Sequence, residues 1–356
     1  LLCSYLEAII LHCLYKINEE RTVYSVYHLI NGKKSSQTIQ DSHIYKISQY
    51  FRVYPMLTRD KFQQVLTHLD EEGLLLFIDR EKGTYKCTVK GKEALQIVEM
   101  THRKLPNING IQYHMLAPLF WRRFSLLFQV LSNAVYNNSR YYCVQRDLAI
   151  QNWVKVYLSQ NNKKKTLAKA VHDELHRLLS ELPNKQAQIF MLKLTGYERI
   201  GYSDRQIAEC LQLNEEDIYF YFIDTLHFLL NSVKQLRNDF STLYSVFHDI
   251  QENHALPVTQ SSLITLGYLR QGLTIDEISA ARNLKNNTIE DHIVELVLYT
   301  NEVDLSSYVS DALVKDIIQA AIKSKTKQLR IIKGALSEQV SYFQIRLALI
   351  KGGLLS

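Results

Sequence analysis

Two short stretches hold residue types whose spacing could do chemistry. Gly32-Lys33-Lys34-Ser35 has the order that ends a phosphate-binding loop, in which backbone N–H groups and a lysine surround phosphates. The loop's first glycine would fall at position 27, which is Tyr27, and no glycine turn precedes it, so nucleotide binding is not expected. His172 and His176 stand one helical turn apart, the spacing by which zinc proteases present two imidazoles. Asp173 stands where their glutamate base belongs and no third ligand is evident, so the pair reads as an exposed, cap-like first turn. No nucleophile elbow or paired-carboxylate motif is present. The chain is read as non-enzymatic, with no cofactor and no metal.

Binding chemistry is better represented. Residues 100–172 contain eleven Lys or Arg and one acid, Asp147, while the whole chain is only +6, so the remainder is net negative. The cations expected to neutralise phosphates are Arg122, Arg123, Arg140, Arg146, Lys155, Lys163, Lys164 and Lys165. Aromatics lie among them (Trp121, Phe124, Tyr136, Tyr141, Tyr142, Trp153 and Tyr157), and Trp153 is the candidate for stacking on a base. Such a surface suits DNA, with single-stranded or branched forms favoured. A later run, Lys323, Lys325, Lys327, Arg330 and Lys333, fits an exposed helix face equally well.

The elements that must carry these residues are mostly helices, because glycine (12) and proline (5) are sparse. A first domain is expected over 1–105. Apolar spacing marks a buried opening helix and a second helix through Phe62, Val65, Leu66 and Leu69. Ser36 is expected to cap one helix, and Thr58 the next, with Asp60 in its first turn. Strands at 74–79 and 84–89 flank the turn 80–83, and a helix follows over 91–103. That is the layout of a winged helix, with 59–72 as recognition helix and 80–83 as wing tip. Arg59, Lys61, Gln63, Gln64 and His68 would then face a duplex.

Residues 106–118 read as a linker, opening a basic helical domain over 106–257. The third domain spans 258–356 and is expected to fold alone around Leu296, Ile317, Ile318, Ile331 and Ile345. Both carry one pattern at an offset of 71 residues. Ser203, Ile207-Ala208, Leu213 and Ile218 align with Thr274, Ile278-Ser279, Leu284 and Ile289. A capping hydroxyl, an apolar–small pair, an apolar plug in the turn and an inward apolar residue make a helix-turn-helix. In the first copy the second helix carries Glu215, Glu216, Asp217 and Asp224 ahead of any cation, with aromatics all round, so it reads as packed or protein-binding. In the second, Lys285, Asn286, Asn287 and Thr288 can hold a phosphate or base; Lys285 and Asn287 are the candidates kept, although Glu290, Asp291 and Glu295 follow.

The fold class is therefore mainly α: an N-terminal winged-helix-like domain with a small β-hairpin, then helical helix-turn-helix domains. Scattered cysteines (Cys3, Cys13, Cys87, Cys143, Cys210) without a CxxC pair fit reduced thiols in the cytoplasm. The opening apolar stretch contains Glu7 and His12, too short an uninterrupted run for a signal peptide or a membrane span. A start on Leu1 points to a trimmed or partial chain. Oligomeric state is not legible.

Three segments are familiar. Leu179, Leu182-Pro183 and Gln186, with the helix-turn-helix behind them, resemble region 4 of bacterial sigma factors. Glu20-Arg21-Thr22, Tyr27-His28-Leu29-Ile30 and 32–41 together resemble the start of the YpbB-like proteins of low-GC Gram-positive bacteria. Thr265, 272–278, Ala281-Arg282, Leu284, Thr288-Ile289 and His292, closing on 340–346, resemble the helicase helix-turn-helix domain found at the C-terminus of some RecQ helicases. The resemblance implies a non-catalytic companion of a RecQ-type helicase in DNA repair or recombination, with the motor on another chain. The alternatives are a winged-helix transcription regulator and a protein-only scaffold.

Overall fold

Helix punctuation explains the residues that imitate a phosphate loop. A computed structural model describes residues 4–79, 82–100, 105–161, 163–249 and 258–352. The chain begins with α1 (Tyr5–Ile17), α2 (Val23–Asn31) and α3 (Ser36–Ile44). Gly32 ends α2 at φ 87°, giving its N–H to the His28 and Leu29 carbonyls. A side chain there would be strained, and its Cβ would lie 2.3 Å from Arg52 Cγ. Ser35, not Ser36, caps α3: its backbone is extended and its hydroxyl accepts the Thr38 N–H, whereas Ser36 is already helical.

A short 3-10 turn (Ser48–Tyr50) leads to α4 (Arg59–Glu71), β1 (Leu75–Asp79), β2 (Thr84–Cys87) and α5 (Val89–Met100). Thr58 caps α4 through the Lys61 N–H, and Phe62, Val65, Leu66 and Leu69 bury its inner face. The strands pair antiparallel, Leu75 with Cys87 and Phe77 with Tyr85, and a bulge follows Phe77. Gly91 lets α5 start hard against the hairpin, since a Cβ there would meet the Leu74 carbonyl oxygen at 2.3 Å. Helix, hairpin, helix is the expected winged-helix order. Positions 80 and 81 of the wing tip lie outside the described residues, as do 101–104. The described tip is tied down: the Val23 N–H donates to the Gly83 carbonyl at 3.0 Å.

The described residues cluster into two compact units. One lies within Leu1–Ile9 and Ala94–Ala255, the other within Ile10–Glu93 and Leu256–Ser356. The first contains α6 (Gly110–Tyr113), α7 (Leu116–Val135), α8 (Leu148–Gln160), α9 (Lys164–Ser180), α10 (Asn184–Leu192), α11 (Asp204–Leu211), α12 (Glu215–Gln235) and α13 (Ser241–Tyr244). Its core is aromatic: Phe120, Phe124, Phe190 and Phe222 pack together, with the edge of Trp121 on Phe190 and Phe222. The stretch read as a linker is docked here. Asn107 gives its backbone and side-chain N–H groups to Asp224 at 2.8 and 2.9 Å, and the Asn109 N–H goes to His227 Nδ1 at 3.0 Å. Its asparagines, Asn107 and Asn109, serve α12 rather than a flexible connection.

The second unit adds α14 (Gln260–Leu269), α15 (Ile275–Arg282), α16 (Asn286–Tyr299), α17 (Asp311–Ser324), α18 (Leu329–Gly334) and α19 (Tyr342–Lys351) to the N-terminal elements. Tyr299 and His43 share a 2.8 Å hydrogen bond, Glu20 accepts from the Thr326 hydroxyl and Lys327 N–H, and Arg346 reaches Gln40. Residues 258–352 thus cluster in one compact unit with the N-terminal elements, joined to them by these polar contacts. Ile317 and Ile345 are buried as expected; Ile331 is 47% exposed, and in the short α18 the inward position belongs to Ile332.

Candidate nucleic-acid interface

The two helix-turn-helix copies agree in their caps, turns and buried isoleucines at their offset. Ser203 caps α11 and Thr274 caps α15, each in a reciprocal capping box with Gln206 or Glu277. The turns enter the left-handed region at equivalent residues, Gln212 (φ 54°) and Asn283 (φ 50°). The Leu213 N–H reaches the Ala208 carbonyl and the Leu284 N–H the Ser279 carbonyl, both at 3.0 Å. Ile207, Ile218, Ile278 and Ile289 are fully buried.

The second helices are not bare reading heads. On α12, Asp224 is buried and binds Asn107 and Gln186, and burial pushes its carboxyl up. Tyr219, Tyr221, Ile223 and Phe228 are only partly exposed, so nearly every face of α12 is packed. On α16, Glu295 accepts from Thr259 and Ser262, while Glu290 and Asp291 face Arg346. These acids serve internal contacts and leave the tip clear: Lys285, Asn286 and Asn287 are exposed, with Asn286 joined to Asp276. Helix-turn-helix proteins contact bases with the N-terminal residues of this helix, and here that tip is what remains accessible.

The basic segment divides into bound and open cations. Arg122 pairs with Asp147, whose carboxyl is held below its ordinary range by Arg122 and the Ala149 and Ile150 N–H groups. Arg123 binds Asp249 through two nitrogens, at 2.7 and 3.0 Å. Its guanidinium lies 4.3 Å over the Trp153 ring, which also stacks on Tyr157 at 5.1 Å. Trp153 is half-buried against the core. Arg140, Arg146, Lys155, Lys163, Lys164 and Lys165 are exposed.

Sequence reasoning missed what holds the loop 136–147. Ser125, Gln129 and Asn133, buried at every fourth position of α7, form a polar stripe. Gln129 donates to the Tyr142 carbonyl at 3.0 Å and accepts the Val144 N–H at 2.9 Å; Ser125 accepts from Gln145, and Asn133 from Asn138. Polar residues repeating every fourth position on an apolar helix were the available signal. The clamp leaves Tyr142 98% exposed between Arg140 and Arg146.

On α4, the Arg59 guanidinium lies 5.8 and 6.0 Å from the Tyr24 and Tyr27 rings. Lys61 and His68 are partly buried, whereas Gln63 and Gln64 are exposed. His172 and His176 occupy the middle of α9, not a first turn, with rings stacked 6.0 Å apart on the exposed face. No group of three or more metal-ligating side chains occurs among the described residues. No described helix is long and apolar enough to cross a membrane.

Residues 261–349 match the family described as a helix-turn-helix domain, which supports DNA binding. No solved structure matches the chain. Protein YpbB of Bacillus subtilis (strain 168) is 35% identical over 349 residues, covering 98% of this chain and 97% of that protein. An identity of that extent, spanning both compact units, makes this chain a member of the YpbB family.

Proposed function

We propose that this chain is a non-catalytic DNA-binding accessory protein that acts with a RecQ-type helicase in DNA repair or recombination. The observations that carry the DNA half are the exposed cations Arg140, Arg146, Lys155 and Lys163–Lys165 of the first unit and, separately, the accessible helix-turn-helix tip of the second. Cations spread along helices and a loop track a phosphate backbone without reading sequence, which suits single-stranded or branched DNA. The helicase half rests on the likeness of the C-terminal helix-turn-helix to that at RecQ C-termini, and α17–α19 would offer the partner surface. A sequence-reading regulator is less well supported, because Lys61 and His68 of α4 are partly buried and the wing is tied to Val23.

Reversing Lys163, Lys164 and Lys165 to Glu tests the DNA half. Single-strand affinity should fall at every sequence, and the slope of log affinity on log salt should flatten by about 0.7 for each phosphate no longer neutralised. Unchanged binding in that variant, with duplex binding abolished by Arg59→Ala and Lys61→Ala, would favour the regulator. Native co-purification tests the other half: a helicase should accompany the chain, and its absence under conditions that retain DNA would leave only the DNA-binding role.

A further inference from the structure

A groove of about 520 Å³ runs between α7, α8, the start of α9 and the loop that Gln129 clamps. Its walls include Leu126, Val130, Val154, Leu158 and the ring of Tyr141. Lys155 and Lys164 line it and are exposed, and no acid lines it. Gln151 and Ser159 add polar groups to this wall; Gln151 Nε2 donates to the Gln145 carbonyl and the Ser159 hydroxyl to the Val156 carbonyl, which leaves their oxygens as acceptors for a base N–H. The loop wall is held in place, because Gln129 satisfies backbone groups on both sides of Cys143.

We propose that this groove receives one unpaired base of single-stranded DNA, with the adjoining phosphates on Lys155 and Lys164. This rests on the reading that the basic segment contacts DNA. A base has two apolar π-faces and a polar edge, matching the Tyr141 and aliphatic walls and the Gln151–Ser159 rim. The flanking phosphates require cations at the mouth, and both lysines stand there. A base inside a duplex keeps its faces stacked on its neighbours and cannot enter. The groove therefore selects unpaired DNA, and the stacking contact moves from Trp153 to Tyr141.

Cys143 lines the groove and is exposed, and Cys210 on α11 is an exposed internal control. The full-length chain is treated with iodoacetamide, with and without an oligothymidylate of about 20 nucleotides, longer than the usual site of roughly 4–16. Mass spectrometry follows each thiol. With the oligonucleotide at about ten times its Kd, alkylation of Cys143 should slow about ten-fold, following the free fraction, and Cys210 should not change. A duplex of equal length should leave Cys143 unprotected. Lys155→Glu with Lys164→Glu should abolish the protection, and a melt at the wild-type temperature shows that the variant is folded. Binding with Cys143 still reactive, or equal slowing at both thiols, overturns the groove while leaving the basic-segment reading intact. No binding of the oligonucleotide by the folded chain overturns both.

Discussion

Arg123 lays its guanidinium 4.3 Å over the Trp153 indole while binding both carboxylate oxygens of Asp249. The indole stacks in turn on Tyr157, whose hydroxyl bonds Ser245 at 2.7 Å. These contacts join α7 and α8 to the end of the first unit, so the aromatic that sequence reasoning offered to a base is engaged by protein. Trp153→Ala should lower stability by about 3 kcal/mol through the loss of packing and of the cation–π interaction. Single-strand affinity of the protein that stays folded should be unaltered. Thermal melts beside binding curves check this; an unchanged Tm with weakened binding would return Trp153 to the interface.

Tyr142 is the contrasting case. It is 98% exposed, and its backbone rather than its ring is what Gln129 holds. Tyr142→Ala should leave the Tm within about 1 °C, since an exposed ring contributes little to stability. Single-strand binding should weaken by roughly 1–3 kcal/mol if the ring stacks on a base. An affinity equal to wild type would remove Tyr142 from the contact surface.

Much of this arrangement was legible in the sequence because it is local. The capping hydroxyls Ser203 and Thr274, the paired isoleucines and the Phe62–Leu69 spacing each depend on neighbours within a few residues. The helix-turn-helix units and the winged-helix order follow from them. The fate of charges was not legible, since it depends on partners far along the chain. Arg123 meets Asp249, Arg346 meets Asp291, and Glu295 turns to Thr259. Charge counted along the sequence treated Arg123 like Lys164, although only one is open to a ligand. The docking of 105–113 on α12 was hidden for the same reason: Asn and Gly signal a turn equally whether it hangs in solvent or binds a buried aspartate.

Ile207 and Ile278 occupy equivalent positions in the two helix-turn-helix copies, and both have no exposed surface. Replacing either by Asp buries an unpaired charge and should cost more than about 4 kcal/mol. Circular dichroism should report lost helix in both variants. The two tryptophans, Trp121 and Trp153, lie in the unit that holds Ile207, so fluorescence should also report Ile207→Asp. A cooperative melt at the wild-type temperature in either variant would contradict the equivalence of the two copies.

His227 gives the first unit a dependence on acid. Its Nδ1 accepts the Asn109 N–H at 3.0 Å, which requires that nitrogen to be unprotonated. Burial lowers its pKa from 6.5 to about 3, with His114 adding to the effect. The unfolded chain therefore binds a proton that the folded chain refuses between those two values, and stability falls as pH drops through that window. Above about pH 7.5 the contribution is constant; by pH 5 the loss is about 2 kcal/mol, or on the order of 6 °C in Tm for a unit of this size. His43, lowered to about 4 by burial, acts with the same sign in the other unit. The comparison must therefore be between wild type and His227→Gln, which keeps an acceptor near Asn109 but cannot titrate. The variant's tryptophan-monitored Tm should fall less than the wild type's between pH 7 and 5. Parallel curves for the two proteins would show that His227 does not supply the acid sensitivity.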